Sequence, residues 1–100
     1  MSQHFNRLTP AEAERLAMLA EEAGEVVQAV TKILRHGYES YHPTDPGMNN
    51  RSILRAEIAD LRAVWELMFE AGDVEKLHSL MIDTAKSRKL RFSHHQGAEE

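Results

Sequence analysis

One hundred residues, no cysteine, and 12 Lys and Arg against 16 Asp and Glu for a formal charge of −4 exclude several classes at once. The length allows one domain, residues 1–100, with a thin core, and the absence of thiols removes disulfide and thiolate-metal staples and fits a reducing, cytoplasmic setting. The acidic balance disfavours nucleic acid as a partner, no apolar run approaches the ~20 residues of a membrane span, and Met1 to Arg7 lacks the layout of a signal peptide.

Abundant Ala, Leu and Glu, with 5 Gly and 3 Pro, predict an all-α chain. Thr9-Pro10-Ala11-Glu12 reads as a capping box with proline at the first helical position. The helix it opens runs over about 10–36, about 40 Å at ~1.5 Å per residue. Gly37 is its stop, and Lys32, Arg35 and His36 favour the negative end of its dipole. Residues 37–49 form a loop rich in proline and glycine, placed for a lid or base-binding role. Asn49 or Asn50 caps a second helix over about 50–71, which stops at Gly72. Asp73 is expected to cap a third over about 74–91, with a frayed tail at 93–100. The short connection between the second and third helices predicts antiparallel neighbours, so the expected fold is an antiparallel helical bundle of three main helices.

Along the first helix, Leu16, Leu19, Val26, Val27, Val30 and Leu34 fill one apolar arc at ~100° per residue. Glu21, Glu22 and Glu25 cluster on the neighbouring arc. Like charges three and four residues apart repel mildly, so solvation or a counter-ion is needed. In the second helix Leu54, Ile58, Leu61, Val64, Trp65 and Met68 make a wide apolar face with Glu57 inside it and Asp60 at its edge. Arg55, Arg62, Glu66 and Glu70 serve the solvent side. A carboxylate facing a core is costly unless paired or metal-bound. An interhelical salt bridge to Arg15 or Lys32 is one solution. The other is a hard cation, Mg²⁺ or Mn²⁺, held by Glu22, Glu25, Glu57 and Asp60, whose oxygen donors with no thiolate suit such an ion and a phosphate chain.

Glu21-Glu22-Ala23-Gly24-Glu25 followed by Glu57-Ile58-Ala59-Asp60 resembles the EExxE…ExxD signature of MazG-like, all-α nucleotide pyrophosphohydrolases. The stretch Glu25 to Gly37, and Lys86 to Arg91 leading into His94-His95-Gln96, are similar to the phage and bacterial branch of that family. The resemblance covers roughly residues 10–96. The chain departs from compact members in the longer gap between Glu25 and Glu57. The resemblance implies Mg²⁺-dependent cleavage of a nucleoside triphosphate between its α and β phosphates. Glu22, Glu25, Glu57 and Asp60 would be the metal ligands, and Glu21 would stand behind them or orient the attacking water. It keeps Lys32, Lys86, Lys89 and Arg91 as candidates for phosphate contact. It also implies a homodimer or homotetramer with a four-helix-bundle-like core completed by oligomerisation, which suits apolar faces this broad.

Trp65 and Phe69, four apart on the apolar face, read as core, whereas Tyr38 and Tyr41 lie in the loop within reach of a base. Two Glu-x-x-His pairs, Glu39…His42 and Glu75…His78, evoke a di-iron bundle, but the first falls in a loop beside Pro43, where no inward helical face exists. His94 and His95 read as a solvated tail. The competing function is a non-catalytic helical module, a nucleotide sensor or adaptor, that keeps the same acidic face.

Overall fold

In the computed structural model, which describes residues 5–97, the chain is all-helical: α1 (Pro10–His36), α2 (Asn50–Glu70) and α3 (Ser79–Arg91). No strand is present among the described residues, only an isolated antiparallel bridge between Tyr41 and Asn49. Residues 1–4, from the stretch judged not to be a signal peptide, and 98–100, from the expected frayed tail, lie outside the described residues. No helix is long and apolar enough to cross a membrane, among the described residues.

Local chemistry sets the ends of α1 and α2. The Thr9 hydroxyl accepts from the Glu12 amide at 3.1 Å, and the Glu12 carboxylate accepts from the Thr9 amide at 2.8 Å, the reciprocal capping box. Gly37 ends α1 at φ 86°, a conformation that favours glycine, and its amide donates to the Ile33 carbonyl at 2.7 Å. Asn49 caps α2 by accepting from the Ser52 amide at 2.9 Å. The first two amides of α2 are satisfied by the loop itself: Asn50 donates to the Ser40 carbonyl at 2.8 Å and Arg51 to the Tyr38 carbonyl at 2.9 Å. At the other end, Gly72 (φ 85°) donates to the Phe69 carbonyl at 3.0 Å, and Asp73 donates to the Met68 carbonyl at 2.8 Å. This is a Schellman closure.

α1 and α2 form an antiparallel hairpin, and both of its ends are tied. At the loop end the buried Asn50 side chain donates to the Gly37 carbonyl at 3.1 Å. At the open end Arg15, near the start of α1, grips Asp73, just past the end of α2: Nε to Oδ2 is 2.5 Å and Nη2 to Oδ1 is 2.9 Å. Glu12, Arg15, Leu19, Glu22, Val26, Ala29 and Ile33 are the half-buried or buried residues of α1. Their alternating spacing of three and four is a coiled-coil seam. Asn50, Leu54, Glu57, Leu61, Val64 and Met68 repeat that rhythm on α2 and are likewise covered. Ala29, Val64 and Met68 are its buried apolar centre.

α3 departs from the expectation. It begins at Ser79, five residues after Val74, and His78 at its start makes no side-chain capping bond. The reason is the clasp: the Asp73 carboxylate, the expected cap, is engaged by Arg15. Nor does α3 lie antiparallel against α2, because none of its Cα atoms comes within 8 Å of one in α1 or α2. The consequence is an open molecule, with a Cα radius of gyration of 17.6 Å against about 13 Å for a compact chain of this length.

The Arg15 guanidinium also holds the Asp73 carboxyl below the usual aspartate range. A depressed acid stabilises the fold above its unfolded value, and that contribution is lost as pH falls through the depressed folded value. Asp73→Ala should therefore melt at a lower temperature than the parent at neutral pH. The gap should close as pH is taken below about 3.9, the ordinary aspartate value. Melting curves by circular dichroism across pH check this, and a gap that persists undiminished in acid refutes it.

Candidate metal centre

Midway along the seam that joins α1 to α2 stand two carboxylates, Glu22 and Glu57, where the pattern calls for apolar side chains. Both are half-buried, and exposed Asp60 stands beside them. One carboxylate oxygen from each of the three lies within 4.8 Å of the other two. At ~100° per residue, Glu22 and Glu57 sit close to the middle of their seams, and Glu25 and Asp60, three residues on, flank them on one side. The hairpin thus has an acidic edge, to which α1 and α2 each bring an inner and an outer carboxylate.

The electrostatics follow from that crowding. The Glu22 carboxyl is pushed above the ordinary glutamate value, first by desolvation, then by the charges of Asp60, Glu21, Glu57 and Glu25. The charges that raise it are all negative. The two salt-bridge partners that would have explained Glu57 without a metal do not serve: Arg15 is committed to Asp73, and Lys32 makes no ion pair among the described residues. The donor set is oxygen only, carries excess negative charge and is half open to solvent. That chemistry fits a hard divalent cation.

The predicted site residues separate into two groups. Glu22, Glu57 and Asp60 converge. Glu25 is not one of the converging three, and both it and Glu21 are exposed, near enough only to raise Glu22. Exposed Lys32 lies two turns beyond Glu25 on the same side of α1, about 10 Å along the axis. Lys86, Lys89 and Arg91 make no ion pair among the described residues, and no Cα atom of α3 comes within 8 Å of α1 or α2. The loop is likewise committed to its own architecture. The Arg51 guanidinium lies 4.3 Å from the centre of the Tyr38 ring and donates to the Glu39 carboxylate at 2.8 Å. The Glu39 carboxylate also accepts from Asn49 at 3.2 Å. Tyr41 remains exposed.

The opposite edge is apolar. Leu16, Ala20, Ala23, Val27, Val30 and Leu34 form a second, uncovered stripe along α1 with the same three-four rhythm. The broad arc legible in the sequence is therefore two stripes, only one of which faces α2. A cavity of about 790 Å³ opens on this edge. Leu19, Ala23, Ile58, Trp65 and Phe69 line it, with Leu77 and Ile82 closing over from the connection and from α3. None of the acidic-edge carboxylates lines it. Trp65 is half-buried there, as its core reading expects. Two features escaped the sequence reading: the Arg15–Asp73 clasp, and the two-stripe division, whose signal was the alternation of Glu12, Arg15, Leu19, Glu22, Val26, Ala29 and Ile33.

Compared with known protein families, curated proteins and solved structures, the chain gives no match.

A raised acid opposes folding where it is ionised. The stabilisation it provides is complete below the ordinary glutamate value and is lost as pH rises through the raised folded value. Glu22→Gln should therefore raise the melting temperature of metal-free protein at neutral pH, and the advantage should vanish below about pH 4.3. Mg²⁺ should raise the melting temperature of the parent at neutral pH and do less for the variant. Differential scanning calorimetry in EDTA and in Mg²⁺ checks both, and a variant less stable than the parent without metal refutes the account.

Proposed function

We propose that the chain is a Mg²⁺-dependent nucleoside triphosphate pyrophosphohydrolase. It cuts an NTP or dNTP between the α and β phosphates to the monophosphate and pyrophosphate, as the MazG-like enzymes its acidic motifs resemble do. The observation that carries the reading is the convergence of Glu22, Glu57 and Asp60 within 4.8 Å at the edge of a helix seam, where the charges that raise Glu22 are all negative. Two carboxylates in an apolar seam cost stability in the free protein, and a binding role is the physical justification for keeping them there.

Glu22, Glu57 and Asp60, with Glu25 on the rim, would hold Mg²⁺, or Mn²⁺ in its place. The ion would supply a template for the phosphates and positive charge against that developing on them. The chain's own work is placement. Glu57 and Glu22 are held by the packing of α1 on α2, and the two ties at the hairpin ends keep those helices from sliding. Glu21, exposed beside Glu22 and acting on it, orients the attacking water and takes its proton. The water oxygen bonds to the α phosphorus as the bridging P–O bond breaks. Pyrophosphate leaves with the bond's electron pair.

The enzyme works as a homo-oligomer in this reading. Val27 is 64% exposed and Leu34 81% exposed on the uncovered α1 stripe, in line with Leu16 and Val30. Ile58 and Phe69 extend that surface onto α2. The face is about 27 Å long and two helices wide, the scale of footprint that a stable dimer buries. Pairing two such faces makes a four-helix bundle and leaves both acidic edges accessible. The acidic edge reads phosphates and not the base, so it does not select among nucleotides.

Incubation with each NTP and dNTP, in Mg²⁺ or in EDTA, with products resolved by ³¹P NMR, tests the activity. Monophosphate and pyrophosphate should appear only with metal, and orthophosphate with diphosphate would assign a different reaction. Glu57→Gln should abolish turnover, by about 100-fold or more, and should not lower the melting temperature of metal-free protein. A variant that keeps full activity sinks the assignment. Val27→Asp with Leu34→Asp should shift light-scattering mass from oligomer to monomer, and a parent already monomeric at assay concentration overturns the oligomer.

A further inference from the structure

Two local structures compete for the Asp73 carboxylate. In the clasp both of its oxygens accept from the Arg15 guanidinium, and the side chain is only 12% exposed. Asp73 also occupies the N-cap position of a helix that would begin at Val74. In that role its carboxylate would accept from the amides of Glu75 or Lys76. Neither amide donates to a protein group among the described residues.

Residues 74–78 have the chemistry of a helical turn without its structure. None is glycine or proline, so nothing in the segment itself breaks a helix. Yet α3 starts only at Ser79, behind His78, which makes no side-chain capping bond. No acidic residue lies in the first turn of α3. A start at Val74 would place Glu75 there, at the positive end of the dipole, and would lengthen the helix by more than one turn of ~3.6 residues.

The apolar cavity carries an independent sign of the interrupted turn. Leu77 and Ile82 both line it, beside Leu19 and Trp65. On one continuous helix, residues five apart point about 140° from each other. The two share the cavity because Leu77 precedes the helix. A continuous helix would instead align Val74, Leu77, Met81 and Ala85 at spacings of three and four, an apolar stripe. In the clasped form that stripe is broken, and Met81 is 61% exposed.

We propose that the Arg15–Asp73 clasp is a conformational latch on α3. Closed, it holds residues 74–78 out of the helix and sets Leu77 and Ile82 together over the cavity. Open, it frees Asp73 to cap a helix that begins at Val74, and Leu77 and Ile82 no longer share the cavity. The end of α2 is common to both states, because the bonds that close it use the backbone amides of Gly72 and Asp73 and not the Asp73 side chain. The latch needs neither metal nor nucleotide and is independent of the activity proposed above.

Three variants separate the two roles of the carboxylate. Arg15→Gln removes the fork and leaves Asp73 free to cap. Asp73→Asn removes the charge pair and keeps an equally good cap, whereas Asp73→Ala removes both. Backbone NMR of the full chain reads the Cα shifts of residues 74–78, and the shifts of α1 and α2 report that the hairpin is folded. The parent should give non-helical shifts at 74–78. Arg15→Gln and Asp73→Asn should each move them downfield into the helical range and slow amide exchange at residues 78–81. Asp73→Ala should leave both as in the parent. Residues 74–78 that stay non-helical in either folded, cap-retaining variant overturn the latch. So does a helix that begins at Val74 in the parent or in Asp73→Ala, since release of the carboxylate would then not be what starts it. Should Arg15→Gln fail to hold the hairpin, Asp73→Asn decides alone.

Discussion

Two carboxylates set into the seam between α1 and α2 govern the rest of this molecule. Glu22 and Glu57 occupy positions where the three-four rhythm asks for apolar side chains. They raise the energy of the packed hairpin by the desolvation and mutual repulsion that lift the Glu22 carboxyl. A hairpin carrying that penalty needs compensation elsewhere, and the structure places it at the two ends. The Arg15–Asp73 fork closes one end, and the knot of Gly37, Ser40, Asn49 and Asn50 closes the other. With both ends closed, the seam stays in register despite its unfavourable middle. The loop at 37–49 braces the start of α2, since the Ser40 and Tyr38 carbonyls accept from the amides of Asn50 and Arg51.

The same arithmetic explains why the hairpin is short of core. Glu12, Arg15, Glu22, Glu57 and Asn50 take five seam positions that Leu or Val would fill in an ordinary coiled coil. Ala29, Val64 and Met68 are the apolar residues that remain buried, among the described residues. A chain of this size has little other apolar area to spend, yet a whole stripe of α1 is left open to water. The polar seam and the open stripe are two sides of one design. The intramolecular contact gives up stability to build an acidic edge, while apolar area that could be buried stays open on the opposite edge.

Legibility in the sequence divides along physical lines. The ends of α1 and α2 were readable because Thr9, Glu12, Gly37, Asn49 and Gly72 act locally, through bonds spanning two to five residues. The acidic motifs were readable because Glu57 sits visibly inside an apolar face. The start of α3 was not, since Asp73 has two possible partners, its own downstream amides and a guanidinium 58 residues away, and the choice is tertiary. The wheel also could not divide the apolar arc of α1, because both stripes have the same three-four spacing and only the position of α2 tells them apart. Glu25 illustrates the limit of motif reading. It matches the ligand pattern in sequence, yet it is exposed and is not one of the three that converge.

The separation of charge along the chain has a consequence for specificity. Acidic residues concentrate on one edge of the hairpin, while the last turns of α3 are basic. An isolated chain therefore carries two incompatible electrostatic surfaces, neither of which is neutralised internally. A triphosphate approaching the acidic edge alone meets repulsion at long range unless a cation or basic side chains reverse the local field. A divalent ion held by the carboxylates would neutralise part of their charge and make the edge accessible to an anion. The chain thus places complementary charges on elements whose Cα atoms nowhere come within 8 Å of each other.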